Sequence, residues 1–498
     1  MNTHPQRTVN VMGLGLVPVV AKLFWKALRM LADGENRAIR KEKGMSPGDA
    51  FFNFIKLSFL ENVLLRYRHP VKFGDLLVLD STFPPYPSAA LEKRLSNYVN
   101  NLDMTEIPTG IVSISTTNSC PYACAFCSTN ARRRTEDDLD EDLLKKTIRQ
   151  VEGLDVPSII LHGGEPLYEY DRFLRLVKHV SPDTCLWMFT TGHGATPERA
   201  RELKENGMFG VWVSLDHFDP EVHNRLRGHP EAFNDACAAV RHFKDAGLYT
   251  CLSLVPPAEF SQRENFLKYY DRAKELGVAE IRVMEMKPSG REACRGVTPH
   301  SPQLAEIQQE LSWSPAYRDY PPLSGLSTWL EKDRAFGCQC RFEYLFVTSR
   351  GEVQPCEATE ISFGNIREED FSIIYERARR AFPRPSTGCI PMVMYEEVRE
   401  YQKVKDTVSS PERAKLAARI MEGFLAKGKI PGVYKLLWSH YEKRVQAYRR
   451  RGSAWRPGTK AMIHGSFGQL GITRLKASAL RSDRLGIHFG AGVRRSDS

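Results

Sequence analysis

Short apolar stretches at 111–115, 158–162, 185–189, 210–214, 249–254 and 280–284 recur along the middle of this chain, with helical patterns at 141–152, 173–180, 197–206, 233–246 and 263–276 lying between them. Near-continuous apolar strands alternating with helices imply a parallel sheet covered by helices. Right-handed crossovers curl six such repeats into an open partial (β/α)6 barrel. Barrel enzymes carry their chemistry at the C-terminal ends of the strands. The residues just after each strand are therefore the first to inspect.

The first strand runs into Ser119-Cys120-Pro121-Tyr122-Ala123-Cys124-Ala125-Phe126-Cys127. Three thiolates on one short loop suit a cube of four irons and four sulfides, since each iron takes one soft ligand. Three ligands for four irons leave one metal corner open for a substrate. A zinc site would also accept thiolates, but usually takes them as separated pairs. The other strand ends read His162-Gly163-Gly164-Glu165-Pro166, Thr190-Thr191-Gly192, Val213-Ser214-Leu215-Asp216 and, further on, His223-Asn224-Arg225-Leu226-Arg227-Gly228.

In order and spacing, these segments resemble the cluster loop and later strand ends of the radical S-adenosylmethionine (radical SAM) superfamily, over roughly 108–295. The resemblance implies a [4Fe-4S] cluster held by Cys120, Cys124 and Cys127, its open iron chelated by S-adenosylmethionine. It implies cofactor contacts from Phe126, Gly163, Gly164, Glu165, Ser214, Asp216 and Arg227. It further implies reductive cleavage to a 5′-deoxyadenosyl radical, hydrogen abstraction from an unactivated carbon, and an electron donor such as flavodoxin or ferredoxin. The residues allow blander roles too. Gly163-Gly164 could be a tight turn, Ser214 and Asp216 could cap a helix, and Arg225 competes with Arg227. His162, His193 and His217 could be solvated or capping residues. Cys185, Cys237 and Cys251 sit in apolar patterns and read as small buried hydrophobes.

A second cysteine group comprises Cys338, Cys340, Cys356 and Cys389, with Gly351 in a hairpin turn between the second and third. The pattern Cys340-x10-Gly351-x4-Cys356, with Gly364-Asn365-Ile366 after it, resembles the opening of the SPASM and twitch auxiliary-cluster domains. It implies one auxiliary iron–sulfur cluster ligated by Cys340, Cys356 and Cys389, with Cys338 as the fourth ligand and Cys294 as its competitor. A zinc-bound or metal-free hairpin is the alternative.

The chain has 498 residues, 11 cysteines and a net charge of +10. So few cysteines exclude a disulfide scaffold at this length and fit a reducing, cytoplasmic setting. No charge-free run of eighteen apolar residues marks a membrane span. Residues 19–32 place Lys22, Lys26 and Arg29 on one helical face and Val20, Leu23, Phe24, Leu28 and Leu31 on the other, the pattern of an interfacial helix. Residues 431–498 hold 14 Lys/Arg against three acidic residues, interleaved with Trp438, Tyr441, Tyr448 and Trp455. Such segments attract anionic lipid; nucleic acid is not expected.

These features give a domain scheme of 1–107 (helical extension), 108–295 (barrel), 296–395 (auxiliary domain) and 396–498 (basic helical or disordered extension). The expected substrate is a lipid or other apolar molecule met at the inner face of the membrane. A peptide or protein maturase is the runner-up. A non-catalytic iron–sulfur electron-transfer or redox-sensing protein is the alternative of another class.

Overall fold

The computed structural model describes residues 8–10, 16–67, 70–292, 302–324, 337–338 and 340–451. Strands β1 (Thr8–Asn10), β2 (Val71–Phe73) and β3 (Leu76–Val78) form a small antiparallel sheet. The barrel strands are β4 (Ile111–Thr117), β5 (Ser158–Gly163), β6 (Cys185–Thr190), β7 (Met208–Ser214), β8 (Tyr249–Leu254) and β9 (Glu280–Val283). All six are parallel and adjacent in chain order. The expected open (β/α)6 barrel is present. Helices Glu141–Gly153, Pro197–Glu205, Ala232–Asp245 and Arg263–Leu276 match the expected crossovers, while 173–180 is replaced by Tyr170–Val177.

Three further strands extend this sheet. β10 (Leu323–Ser324) pairs with β9, β11 (Tyr344–Val347) lies parallel to β4, and β12 (Val353–Gln354) completes an antiparallel hairpin with β11. The hairpin expected to open a separate auxiliary domain is thus continuous with the barrel. An exposed edge strand carries a row of unpaired backbone groups, and β11 satisfies that row on β4.

The strands present different residues to their two faces. Val112, Ile114, Ile159, Leu161, Val211 and Val213 pack against the helices. Ile111, Ile160, Trp187, Trp212, Tyr249 and Cys251 face the other way and meet Val71, Phe73 and Val78 of the small sheet. The N-terminal extension therefore plugs the barrel's lower interior. Phe73 packs edge-on against Tyr249 at 5.1 Å between ring centroids. Beneath them, Glu280 accepts from Ser81 N at 3.1 Å and from the Ser81 and Ser324 hydroxyls.

Both terminal helices are packed against the rest of the chain. Helix Leu16–Ala32 turns Val19, Leu23, Ala27 and Met30 into a core shared with Leu57, Leu79, Leu91 and Val99. Of the residues expected to meet a membrane, Leu23 is buried, Val20, Leu28 and Leu31 are half-buried, and Phe24 is exposed. Lys26 pairs with Glu92. At the other end, helix Gly432–Arg450 buries Tyr441, Val445 and Tyr448 against Met45, Phe52 and Leu102. Its cations meet carboxylates of the N-terminal extension: Arg444 with Asp49 at 2.5 Å and Arg449 with Asp103 at 2.5 Å. Tyr441, Val445 and Tyr448 thus line the packed face, and Arg444 and Arg449 pair at its rim. Trp455 and the rest of 452–498 fall outside the described residues. Among the described residues, no helix is long and apolar enough to cross a membrane.

Two buried histidines set an acid limit on stability. Burial pushes His162 and His223 each down to about 4. The unfolded chain takes up those protons near pH 6.5 and the folded one only near pH 4. Stability from both is therefore complete above about pH 6.5 and lost as pH falls toward 4, at about 1.4 kcal/mol per pH unit for each histidine. Denaturant titrations at pH 7, 6, 5 and 4.5 should show this fall, and His162→Gln should reduce its slope.

Candidate active site

The loop from Asn118 to Arg132 is closed at its base, where Arg132 N donates to Asn118 O (3.0 Å) and Cys120 N to Arg132 O (3.2 Å). It is then held from three sides. Ala123 N and Ala125 N donate to Arg227 O and Leu226 O, both at 3.1 Å, at the end of helix Pro220–Arg227. Gly228 closes that helix in the left-handed conformation, and a Cβ there would sit 2.7 Å from Ala123 O. Third, Gly164 N and Glu165 N donate to Thr117 O (2.7 Å) and Ser119 O (2.8 Å).

Gly163 and Gly164 also have a steric task. Cβ atoms there would meet Thr117 O at 2.3 Å and Ser119 O at 2.1 Å. The close approach is to the cluster loop itself, which seats directly on the end of β5. Glu165 is fully buried, and both its oxygens are occupied. One accepts from Leu167 N (3.1 Å) and Thr190 Oγ1 (2.7 Å), the other from Thr191 N (2.7 Å) and Thr191 Oγ1 (2.6 Å). These four bonds tie the ends of β5 and β6 together and use the carboxylate's acceptor sites.

Asp216 is also fully buried, accepting from Arg227 Nε at 2.5 Å and Val255 N at 2.9 Å. Arg227 lies over the Phe126 ring at 5.2 Å and donates from Nη1 to Cys124 Sγ at 3.9 Å. Asp216, Arg227, Phe126 and Cys124 thus form one chain of contacts, and Arg225 is not the arginine at the loop. Ser214 ends β7, half-buried, in register with Ser253. His193 pairs with Asp235 at 2.9 Å, and the Tyr122 hydroxyl donates to the same carboxylate at 2.7 Å. His217 stacks on Phe218. Cys185 and Cys251 are buried and Cys237 is half-buried, in keeping with their apolar patterns.

Cys120, Cys124 and Cys127 border one small cluster with Tyr122 and Ala232. Burial pushes the Cys120 thiol up to about 12, with Glu165 and the neighbouring thiols adding to the rise. Three thiolates this close repel one another unless a cation takes their charge. An iron–sulfur cluster supplies that cation and uses the soft donors present, so the donor set fits.

Sequence reasoning missed Arg291, which follows β9 in a Gly290-Arg291 turn. Its side chain donates to Cys124 O (2.5 Å), Ala131 O (2.7 Å) and Asn130 Oδ1 (3.1 Å), and its backbone N–H to Cys127 O (3.0 Å). Glu360 accepts from Gly290 N at 2.6 Å. The only sequence signal is a glycine in a strand-end loop. Charge-assisted bonds contribute roughly 1.5–3 kcal/mol each, so Arg291→Ala should cost the loop about 2–4 kcal/mol after allowing for partial exposure. The check is iron loss from reconstituted protein to a chelator, expected to be faster in the variant.

At the second cysteine group, Cys340 contacts both Cys338 and Cys356. The Cys340 hydrogen bond draws the Cys356 thiol below its usual range, helped by Thr359 Oγ1 at 3.1 Å. Cys338 N donates to Ser386 O at 2.8 Å, which brings its segment beside the one bearing Cys389. Cys389 is buried at the start of helix Ile390–Val393. Cys294 falls outside the described residues.

Next to Cys356, Glu357 enters the top of the barrel. It accepts from Tyr344 Oη and lies 3.9 Å from His162 Nε2. Burial pushes its carboxyl up to about 7, although the Arg282 charge draws it down. Phe189, Ser214, Arg282 and Met284, on or after the barrel strands, each keep part of their surface accessible. The segment after Cys356 thus reaches the strand end at His162.

Residues 114–270 match the radical SAM superfamily, and residues 338–389 match the SPASM iron–sulfur cluster-binding domain. The chain is similar to the AdoMet-dependent heme synthase of Methanosarcina barkeri, 28% identical over 300 residues, covering 55% of this chain and 84% of that protein. It is also similar to the mycofactocin maturase MftC of Mycolicibacterium smegmatis, 28% identical over 178 residues, covering 36% and 44%. Among solved structures, Streptococcus suis SuiB bound to precursor peptide SuiA aligns with a TM-score of 0.46 at 15% identity, covering 54% of this chain and 64% of that one.

Proposed function

We propose that this chain, which is a radical SAM enzyme carrying a SPASM iron–sulfur domain, oxidises an unactivated carbon of a peptide or protein substrate held in the barrel chamber. Its cofactors are a [4Fe-4S] cluster, S-adenosylmethionine and auxiliary iron–sulfur. When bound, they supply a radical able to take a hydrogen atom, and an acceptor for the electron left behind. On this reading Cys120, Cys124 and Cys127 hold the first cluster, and Cys338, Cys340, Cys356 and Cys389 hold the auxiliary one. Arg291, Arg227 and the Gly163-Gly164 backbone keep the loop rigid over the strand ends. Phe126, Ser214, Glu165 and Asp216 define the space for S-adenosylmethionine, the last two through the bonds they make to neighbouring loops. The N-terminal plug excludes water from below.

The observation that carries this reading is the course of 356–360. Glu357 reaches His162 at the end of β5, and Glu360 bonds to Gly290 next to the cluster loop. Cys356, one of the residues that would hold the auxiliary cluster, therefore adjoins the segment that meets the strand ends. Similarity to a maturase supports a peptide as the substrate. The net charge of +10 suits an acidic electron donor such as flavodoxin or ferredoxin. A lipid substrate met through the N-terminal helix has no such support from the relatives, and one face of that helix is packed against the chain. A tetrapyrrole is the second reading, favoured by the 84% coverage of the Methanosarcina barkeri heme synthase.

The test is anaerobic. Reduced holoenzyme with S-adenosylmethionine is given a small-molecule and peptide extract of its host, and 5′-deoxyadenosine is counted. Stimulation that disappears after exhaustive protease digestion supports the peptide. Stimulation that survives digestion overturns it, and absence of any 5′-deoxyadenosine overturns the enzymatic reading as a whole.

A further inference from the structure

Five of the ten large hydrophobic side chains left exposed among the described residues lie on two neighbouring helices, Leu16–Ala32 and Pro47–Tyr67. They are Val17, Phe24, Trp25, Phe51 and Ile55, with Trp25 at 61% and Phe51 at 64% exposure. Val17, Ala21, Phe24 and Trp25 recur at helical spacing and share one face of the first helix, as Phe51, Phe54 and Ile55 do on the second. The two faces meet where the Phe24 ring packs edge-on against Phe54 at 5.3 Å. The stripe that packs inward, through Val19, Leu23 and Ala27, is a different one. Beside Trp25 opens a groove of about 480 Å³, lined by Ala21, Lys22, Trp25, Lys26, Arg29 and Tyr86. Its Tyr86 wall is fixed, because that residue exchanges backbone hydrogen bonds with Leu77 at 2.7 and 2.8 Å. No carboxylate lines the groove. Lys26 pairs with Glu92, but neither Lys22 nor Arg29 enters an ion pair among the described residues.

We infer that this face docks the enzyme on a membrane surface of anionic lipid, with a phosphate headgroup entering the groove between Lys22 and Arg29. Contiguous exposed apolar surface with a polar rim marks an interaction site. Three properties fit a lipid surface as its occupant. Lys22 and Arg29 are cations without partners, and an anionic leaflet attracts such groups. Trp25 joins a large apolar ring to a polar N–H, the combination that settles at the level of the headgroups. Phe24, Phe51 and Ile55 carry apolar bulk that enters the boundary between headgroups and acyl chains. A second copy of the chain fits less well, since a two-fold contact places the same surface on both sides and brings like cations together. Among the described residues no helix is long and apolar enough to cross a bilayer, so the contact is with its surface.

The test is flotation of full-length holoenzyme with vesicles of phosphatidylcholine, alone or mixed with phosphatidylglycerol. The protein should bind the mixed vesicles and not the neutral ones, and rising salt should release it. Each cation at an anionic surface contributes about a fivefold gain in binding. Combining Lys22→Gln with Arg29→Gln should therefore weaken binding by about tenfold or more. Combining Trp25→Ser with Phe51→Ser should weaken it by a similar factor. All four positions are at the surface, so both double variants should keep the wild-type thermal midpoint, which separates lost docking from lost folding. Brominated acyl chains should quench the tryptophan fluorescence of the wild type, and Trp25→Phe should remove that quenching. Equal binding to both kinds of vesicle, no binding to either, or binding that survives both double variants overturns the assignment. Self-association that Trp25→Ser with Phe51→Ser abolishes, without vesicle binding, makes the face a contact between copies and also overturns it. No readout depends on cleavage of S-adenosylmethionine, so the radical chemistry is judged separately.

Discussion

Replacing Cys124 alone by alanine should abolish S-adenosylmethionine cleavage as completely as replacing Cys120, Cys124 and Cys127 together. Residues that act as one unit are far from additive: removing one disables the whole. The three thiols share a loop whose ends are joined through Asn118 and Arg132 and whose centre is pinned by Arg227 and Arg291. Such a loop cannot shift to present another donor. Each variant should lose about four iron atoms per chain, the content of one [4Fe-4S] cluster. The auxiliary set near Cys340 and Cys356 should keep its own iron. Iron analysis and 5′-deoxyadenosine formation are the two readouts. A triple variant with full turnover would refute the assignment of these cysteines.

The second large effect is expected at Asp216. Its carboxylate is fully enclosed and faces Arg227, which is raised above the usual arginine range by Asp216 and Cys124 despite desolvation. A buried pair adds little net stability relative to an apolar substitute, yet removing one member leaves the other charge uncompensated, at about 3–5 kcal/mol. Asp216→Ala should therefore destabilise the protein by about that amount in denaturant unfolding. Val255 N would also lose its acceptor. Because Arg227 touches Cys124 and Phe126 and offers its carbonyl to Ala123 N, the variant should also bind iron less firmly. Arg227→Met in the Asp216→Ala background should restore part of the stability without restoring iron retention. That pattern separates the buried-charge cost from the loop contact.

The terminal helices show where amphipathic patterns mislead. Both were read for a membrane because cations and aromatic residues share their surfaces. One stripe of the N-terminal helix packs on Leu57, Leu91 and Val99, and Arg444 and Arg449 of the C-terminal helix pair with Asp49 and Asp103. An amphipathic helix reports that one face is covered. It does not report what covers it, and partners tens or hundreds of residues away leave no local mark.

The barrel, the order of its strands and the cysteine loop were fixed locally, by runs of apolar residues and by donors a few positions apart. Those features survive folding because strand and helix periodicity and loop spacing depend on neighbours in the chain. Distant contacts decided the rest. Strand faces separate polar Ser113, His162 and Arg282 from apolar Val112, Leu161 and Ile281 only once helices cover one side. Gly164 is required by Ser119, Glu165 is held by Thr190 and Thr191, and Arg291 reaches across to Cys124. The entry of Glu357 beside His162 depends on β11 completing the edge of β4. Each of these rests on a hydrogen bond, an ion pair or a steric limit between segments that only the folded chain brings within reach.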